Sequence, residues 1–197
     1  MSEQYPVADV LRKRRTIRQF KPDPVPYPLL LELLDIANWA PNHGLREPWR
    51  YILYQGKARS EFTEAVIGSM SAEEKAKYAE QRIGEYAVIP CHLIVAMKED
   101  PRQKQREEDF GAACAWIQSF QLAAWERGLG VVWKTNTYIY SPYFRRAVGV
   151  ADGEKVVGVL HVGYPAAIPD PRPRSPAESK LTVRGSPDSP PRAPTED

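Results

Sequence analysis

The pattern of hydrophobic and polar positions along the chain predicts a mixture of strands and helices. Four short apolar runs have the length and β-branched content of strands, and they lie at 50–54, 92–97, 131–135 and 156–164. Helical spacing or helix-start signals mark the segments 7–14, 28–40, 57–66, 71–82, 110–128 and 142–148. Because strands and helices alternate, the natural architecture is a central sheet with helices on both faces.

Three of the helices carry a more specific expectation. The helix at 28–40 is rich in leucine and apolar nearly all round, so we expect it to be largely buried. The charged segment 71–82 is typical of a solvated surface helix. The long helix is expected to begin with Glu107, Glu108 and Asp109 in its first turn, where acidic groups suit the positive end of the helix dipole.

The composition is that of an ordinary globular domain with an unusual end. Of 197 residues, 43% are hydrophobic and 26% charged, and the net charge of +2 is too small to indicate general nucleic-acid or membrane binding. Nine of the nineteen prolines fall between Pro165 and Pro194. We therefore expect one folded domain over 1–184 and a disordered, proline-rich tail over 185–197, which has almost no aliphatic residue to bury.

The cysteines and the apolar runs indicate a cytoplasmic protein. Cys91 and Cys114 have no C-x-x-C partner and are expected to be packed thiols. The first residues lack the basic and apolar regions of a signal peptide. The longest apolar run, 88–97, is too short to span a membrane.

The familiar catalytic motifs are missing. No P-loop, G-x-S-x-G or H-E-x-x-H motif occurs, and Gly128-Leu-Gly130 lacks the rest of a dinucleotide fingerprint. Hydrolase and zinc chemistry are therefore disfavoured, and no metal site is predicted. His92 and His161 lie inside predicted strands, where a packed imidazole is the common outcome, which leaves His43 as the histidine in a loop.

A basic segment at 12–21 carries six cations in ten residues. It could compensate the dipole of the first helix, or it could be an arm that binds nucleic acid. However, it contains Thr16 and runs directly into the apolar Ile17 and Phe20 rather than into more charge. This favours arginines that hold a phosphate or a planar heteroaromatic group in a pocket.

The segment 39–49, WAPNHGLREPW, has an unusual composition for a connector. It contains two tryptophans, two prolines and a glycine between a helix and a strand. We interpret it as a rigid loop that presents Asn42, His43 and Glu47 to a ligand, although a stiff surface turn with aromatic packing would have a similar sequence.

Four motifs together resemble the FMN-dependent nitroreductases, and in particular their small members. These motifs are RRTIRQF at 14–20, WAPNHGLREPWRY at 39–51, GLGVVWKT at 128–135, and GYP followed by PRPRSP at 163–176. The resemblance covers about residues 7–182. It implies an α+β fold of three α/β/α layers, in which a central, mostly antiparallel sheet of about four strands is flanked by helices.

The resemblance also implies a homodimer with FMN at the subunit interface. The first motif would hold the phosphate, ribityl chain and pyrimidine edge, and the loop would reach in from the other subunit. The third motif would pass along the flavin, and the last would place two arginines on the phosphate. The residues implied are Arg14, Arg15, Thr16, Arg18, Asn42, His43, Glu47, Trp133, Lys134, Thr135, Arg172 and Arg174. The family often has Gln where Glu47 stands here.

The implied reaction is electron transfer from NADH or NADPH to FMN and then, by a ping-pong mechanism, to a nitroaromatic, a quinone or a similar electron-poor acceptor. The flavin would carry the chemistry, so no catalytic side chain is assigned. Two alternatives remain at this point: a phosphate- or nucleic-acid-binding module that uses Arg12–Lys21, and a flavin-binding protein without turnover.

Overall fold

The computed structural model describes residues 6–185, which form one antiparallel sheet covered by helices on both faces. The strands are β1 (Trp49–Gln55), β2 (Cys91–Lys98), β3 (Gly130–Lys134) and β4 (Glu154–Gly163). The helices are α1 (Pro6–Lys13), α2 (Tyr27–Ala37), α3 (Arg59–Gly68), α4 (Ala72–Ala87), α5 (Gln103–Glu126) and α6 (Pro142–Ala147). Short 3-10 turns lie at His43–Leu45, Gly56–Ala58, Thr137–Tyr140 and Ala177–Lys180.

The sheet has the strand order β1-β2-β4-β3, and every neighbouring pair is antiparallel. Its two central strands are apolar throughout most of their length, because both of their faces are covered. The register of β2 and β4 places His92 directly opposite His161. The predicted fold, a helix-flanked antiparallel sheet of four strands, is confirmed.

Each face of the sheet carries its own core. On the first face, Trp116, Ile117 and Phe120 of α5 are fully buried together with one side of α2. On the second face, Phe62 of α3 and Phe144 of α6 are fully buried. Burying each of these large side chains stabilises the fold by roughly 1.5–3 kcal/mol. These contacts fix the helices on the two faces of the sheet.

The leucine-rich helix differs from its prediction. It ends at Ala37 rather than at 40, and only one side, with Leu30 and Leu33, is buried. Leu31 and Ile36 on the other side are 40% and 38% exposed. The prediction of general burial is wrong for the single chain, because α2 packs against α5 and nothing else in residues 6–185 covers its outer side.

Two further helices extend beyond their predicted limits. The long helix α5 starts at Gln103, which places Glu107, Glu108 and Asp109 in its second turn rather than its first. Asp109 is buried there, and its charge is compensated by an ion pair with Arg46 rather than by the positive end of the helix dipole. Helix α4 continues to Ala87, five residues further than predicted. The predicted disorder of the tail concerns residues that, except for Gly185, lie outside the described ones.

The helices of the described residues are too short or too polar to cross a lipid bilayer.

Candidate functional site

The basic segment after α1 lies along the free edge of β3. Thr16 forms a parallel bridge with Val131, and the Ile17 N–H donates to the carbonyl of Val131 over 3.2 Å. Ile17 and Phe20 are buried, whereas Arg18 between them is exposed. The apolar residues therefore anchor the segment to the core and leave Arg18 free for a ligand.

Two glycines of the motifs are explained by this anchoring. A Cβ added to Gly130 would lie 2.4 Å from Cγ1 of Ile17, and one added to Gly163 would lie 2.6 Å from Pro90 and 3.1 Å from Phe20. Only glycine allows the basic segment to approach the ends of β3 and β4 so closely.

Arginines from both ends of the chain converge beside this segment. Burial lowers the pKa of Arg14, and the positive charges of Arg15 and Arg174 lower it further. The Nε atoms of Arg14 and Arg15 are buried without a hydrogen-bond partner in residues 6–185. Arg174 donates to the carbonyl of Arg172 over 2.8 Å, and Arg172 itself is exposed. Three repelling guanidinium groups with unused donors are the donor set that a phosphate dianion requires.

A cavity of about 420 Å³ opens next to Arg18. Its cations are Arg18, Arg82 and Lys134, and Glu85 is the acidic residue in its wall. The rest of the lining combines apolar side chains with the polar groups of Gln19, Asn136 and His161, which suits a planar ligand with a negative or electron-rich edge. The structure thus brings together Arg18 and Lys134, two predicted site residues from distant parts of the chain.

A second cavity, of about 590 Å³, adjoins the first. Thr135, a predicted site residue, contributes to its wall, and Arg82 and Asn136 line both cavities. The two cavities therefore form one cleft along α4. The prediction of a solvated surface helix is correct, since only Tyr86 of α4 is buried, but it did not include the contribution of this helix to the cavity walls. The residues that line them have the spacing of a single helix face and are Glu74, Tyr78, Arg82 and Glu85.

Trp133 lies apart from this cleft. Alternation along β3 directs Val132 and Lys134 to the second face of the sheet, whereas the Trp133 side chain packs against the core of the first. Its indole Nε1 donates to the carbonyl of Val157 over 3.4 Å. Trp133 of the predicted site therefore packs on the face of β3 opposite the cavity, and its neighbour Lys134 faces the cavity.

The loop after α2 is held in one conformation by its own polar groups. Asn42 accepts the Glu47 N–H at 2.9 Å and donates to the carbonyl of Ala40 at 3.1 Å. Arg46 binds Asp109 at 2.8 Å and Glu108 at 3.1 Å, and His43 Nδ1 lies 3.7 Å from a carboxylate oxygen of Glu108. These contacts tie the loop to itself and to α5, and the presentation of Asn42, His43 and Glu47 to a ligand stays a prediction.

The start of the loop is fixed by a residue that sequence reasoning missed. The side-chain oxygen of Asn38, at the end of α2, accepts hydrogen bonds from the indoles of Trp49 and Trp116, at 3.1 and 3.0 Å, and from the Tyr51 hydroxyl. Burial raises the pKa of Tyr51 to about 12, so its hydroxyl remains a donor. Nothing in the sequence pairs Asn38 with three aromatic residues of β1 and α5.

Asn42, His43 and Glu47 do not line the cleft of their own chain. Asn42 and Glu47 border a separate cavity of about 470 Å³ together with Trp39 and Leu45. Trp39 is 90% exposed and Leu45 is also exposed. The predicted site residues of the cleft and those of this loop are thus separate groups within residues 6–185, and the cluster of Arg14, Arg15 and Arg174 lines neither cavity.

The two strand histidines form a buried pair, which confirms that they are packed imidazoles. Nδ1 of His92 lies 2.8 Å from Nδ1 of His161, and the ring of Phe62 stacks on His92. Burial lowers both pKa values far below 6.5, and the neighbouring His161 adds to the effect on His92 and Lys134 to that on His161. Both rings are therefore neutral, and one Nδ1 donates its proton to the other. His161 also lines the first cavity.

Comparisons with known proteins agree on one family. The model of the nitroreductase family matches residues 11–164. "Putative NAD(P)H nitroreductase YfhC" of Bacillus subtilis is 36% identical over 181 residues, which cover 88% of this chain and 92% of the relative. A nitroreductase-like family protein from Bacillus cereus has a crystal structure with a TM-score of 0.90 at 42% identity, covering 94% of this chain and 100% of the other. An FMN- and NADPH-dependent nitroreductase, NfnB, from Sphigopyxis sp. strain HMH shares the fold, with a TM-score of 0.74 at 19% identity and coverages of 92% and 100%.

Proposed function

The chain belongs to the nitroreductase family, and on that premise we propose that it binds FMN and transfers electrons from NADH or NADPH to an electron-poor acceptor. The observation that carries the proposal is the convergence of Arg14, Arg15 and Arg174 at the basic segment, whose Arg18 lines the cleft. The name of the 36% identical relative supports the nicotinamide donor, and those of several structural neighbours support FMN.

The arginine cluster would hold the phosphate of the cofactor. Arg14 and Arg15 have unpartnered Nε atoms, and Arg174 adds a third positive charge. Thr16 and Arg172 lie next to these residues in sequence and complete the proposed phosphate and ribityl contacts. A bound dianion would remove the repulsion between the guanidinium groups, so the free energy of binding includes the relief of that repulsion.

Arg18 and Lys134 would lie along the pyrimidine edge of the flavin. Bound FMN supplies the hydride chemistry, and the reduced flavin tends to be anionic. A nearby cation lowers the free energy of that reduced form. Thr135 continues the same wall, and Trp133 supports it from the opposite face of β3.

The side chains of the cleft bind, orient and exclude water, and we assign no catalytic acid or base. The nicotinamide donor and the acceptor would occupy the same cleft in turn, which predicts ping-pong kinetics. We propose a nitroaromatic, a quinone or another electron-poor compound as the acceptor. Free cysteines at Cys91 and Cys114 suit a cytoplasmic enzyme, since cytoplasmic thiols are kept reduced.

Reduction of the bound flavin by the nicotinamide tests this function. Protein purified with FMN is expected to be yellow and to lose its absorbance in the visible range when NADH or NADPH is added without oxygen. A subsequent addition of nitrobenzene or a benzoquinone should restore the colour. A yellow protein that neither donor bleaches would instead be a flavin-binding protein without turnover, and a colourless protein that FMN does not bind would refute the proposal.

The basic segment has less exposed positive charge for binding nucleic acid than its sequence suggests. Lys13 pairs with Asp9 at 2.8 Å, and Arg15 donates to the carbonyls of Arg12 and Arg14. Arg14 is partly buried beside Arg174. The cations therefore do not form one continuous exposed surface, and we favour the phosphate pocket over the nucleic-acid-binding module.

We further propose that the protein is a homodimer in which the loop of one subunit completes the cleft of the other. The loop residues Asn42, His43 and Glu47 lie away from the cleft of their own chain, and the neighbouring Trp39 and Leu45 are exposed apolar side chains. Aromatic residues are enriched where protein subunits meet. A second subunit would cover them and also the outer side of α2.

The oligomeric state tests the shared cleft. Light scattering on dilute, FMN-loaded protein is expected to give twice the chain mass of 22.3 kDa. Replacement of Trp39 by aspartate should shift the equilibrium towards monomer and weaken FMN binding in parallel, because the cofactor and the dimer stabilise each other. A 22.3 kDa species that retains FMN and oxidises NAD(P)H would contradict the shared cleft.

A further inference from the structure

Helix α4 is an exposed helix that nevertheless forms one wall of the cleft. Of its sixteen residues only Tyr86 is buried. Both of its ends are fixed: Ser71 and Glu74 form a capping box at the N-terminus, and Arg59 donates to the carbonyl of Ala87 at the C-terminus and to that of Ile89 just beyond it. The backbone of the helix is therefore held at both ends, while most side chains in its middle stay exposed.

Arg82 has the central position on this wall. It is the charged residue that lines both cavities, and Asn136 faces both with it. Its Nη1 donates to Glu85 at 2.7 Å, whereas its Nε and Nη2 make no hydrogen bond to a protein atom in residues 6–185. The side chain of Arg82 is 37% exposed, so these donors are within reach of a ligand in the cleft.

The charge around Arg82 leaves its positive end available. Glu74, the acidic residue in the second cavity, already accepts the Ser71 N–H at 2.9 Å in the capping box. The first cavity contains Arg18 and Lys134 in addition to Arg82, against the single carboxylate of Glu85. The lining of the first cavity thus carries a net positive charge, and Arg82, which is paired with Glu85, extends it to the second cavity.

Part of the wall of the second cavity suits an aromatic ring. Tyr78, Tyr138, Met70 and Val66 supply aromatic, thioether and aliphatic surface. The remaining lining residues have hydroxyl or amide groups that can bond polar substituents of such a ring, and they are Ser69, Thr135, Asn136, Thr137 and Ser141. A volume of about 590 Å³ falls within the range of small-molecule sites, roughly 300–1,000 Å³. An arginine at the rim of such a space can bind a ring carboxylate through two parallel hydrogen bonds.

We propose that Arg82 determines acceptor specificity by binding the carboxylate of an acidic aromatic acceptor, such as a nitrobenzoate, that occupies the second cavity. This inference rests on the proposed function, because it names the substrate class of the same cleft. Arg82 touches the acceptor and takes no part in electron transfer itself.

The test compares two acceptors that differ only in the carboxylate, 4-nitrobenzoate and nitrobenzene, with FMN-loaded protein. In Arg82→Gln, kcat/KM for 4-nitrobenzoate should fall about 10- to 100-fold, mainly through KM, and that for nitrobenzene should change less than about threefold. Arg82→Lys should retain part of the preference. Lys75→Gln removes one positive charge from the same helix at a residue that lines neither cavity, and it should leave both values unchanged.

Binding measurements separate this proposal from other roles of Arg82. Without NAD(P)H, 4-nitrobenzoate is expected to perturb the flavin absorbance of the native protein, with a Kd that rises about 10- to 100-fold in Arg82→Gln. An equal loss with both acceptors, unchanged values with both, weaker FMN binding, or a higher KM for NADPH but not for 4-nitrobenzoate would each overturn the proposal. Failure of the proposed function itself would be recognised separately, since NAD(P)H would then not bleach the native protein.

Discussion

Replacement of Arg14 by alanine is expected to weaken FMN binding by about 10- to 150-fold. The estimate follows from the loss of one charge-assisted hydrogen-bonded contact to the phosphate, which contributes roughly 1.5–3 kcal/mol. Arg14 is partly buried, its burial lowers the pKa of its guanidinium, and the charges of Arg15 and Arg174 lower that pKa further. Fluorescence titration of the FMN-free protein with FMN measures the change in Kd.

The same substitution should not destabilise the FMN-free protein. Arg14 repels Arg15 and Arg174, and its Nε has no partner in residues 6–185, so its removal relieves an unfavourable charge in the empty pocket. The melting temperature without FMN is expected to stay equal or rise. Arg12→Ala is the matched control, because Arg12 is an exposed cation two residues before Arg14, at the end of α1, and contributes only its carbonyl to Arg15. Equal FMN affinity in wild-type and Arg14→Ala protein would contradict the phosphate assignment.

Acidification from pH 6.5 to pH 5.0 is expected to lower the free energy of unfolding by about 3 kcal/mol through His92 and His161 alone. Burial holds both folded-state pKa values far below 6.5, so the folded pair stays neutral over this range. The unfolded chain binds protons on both rings below pH 6.5. The unfolded state therefore binds more protons than the folded state, and stability falls as the pH falls.

Urea unfolding of the FMN-free protein at the two pH values measures this effect, and most carboxylates titrate below the chosen range. His92→Gln leaves one buried imidazole, so the pH-dependent loss should decrease to about 1.5 kcal/mol. An imidazole of the pair that titrates above pH 5 in the folded protein by NMR, or a free energy of unfolding that is the same at both pH values, would contradict the prediction.

The local motifs were predictable because the residues of each motif are neighbours in sequence. RRTIRQF combines buried anchors with exposed polar groups: Ile17 and Phe20 are buried, while Arg18 is exposed. Gly130 and Gly163 are needed for the close approach of this segment, so their place in the motifs has a steric cause. The resemblance to the nitroreductases rested on such stretches, and the family match over residues 11–164 confirms it.

Other site features depend on contacts between distant residues. Asn38 lies 11, 13 and 78 residues from its three donors, and Arg46 lies 63 residues from Asp109. The periodicity of hydrophobic residues does not show which polar group accepts a given hydrogen bond. These interactions, which hold the 39–49 loop, were therefore outside the reach of pattern analysis.

By itself, the sequence determined the four strands, most of the helices and the family, because burial periods and motif composition are local properties of the chain. Only the tertiary structure decided which side chains share a cleft: Trp133 lies behind β3, Lys134 faces the cavity, and α4 contributes Arg82 to both cavities. It also brought His92 opposite His161, 69 residues apart. The physical reason is that a helix or strand can face a ligand only with the side that no other element covers. The elements that cover its other side come from remote parts of the chain.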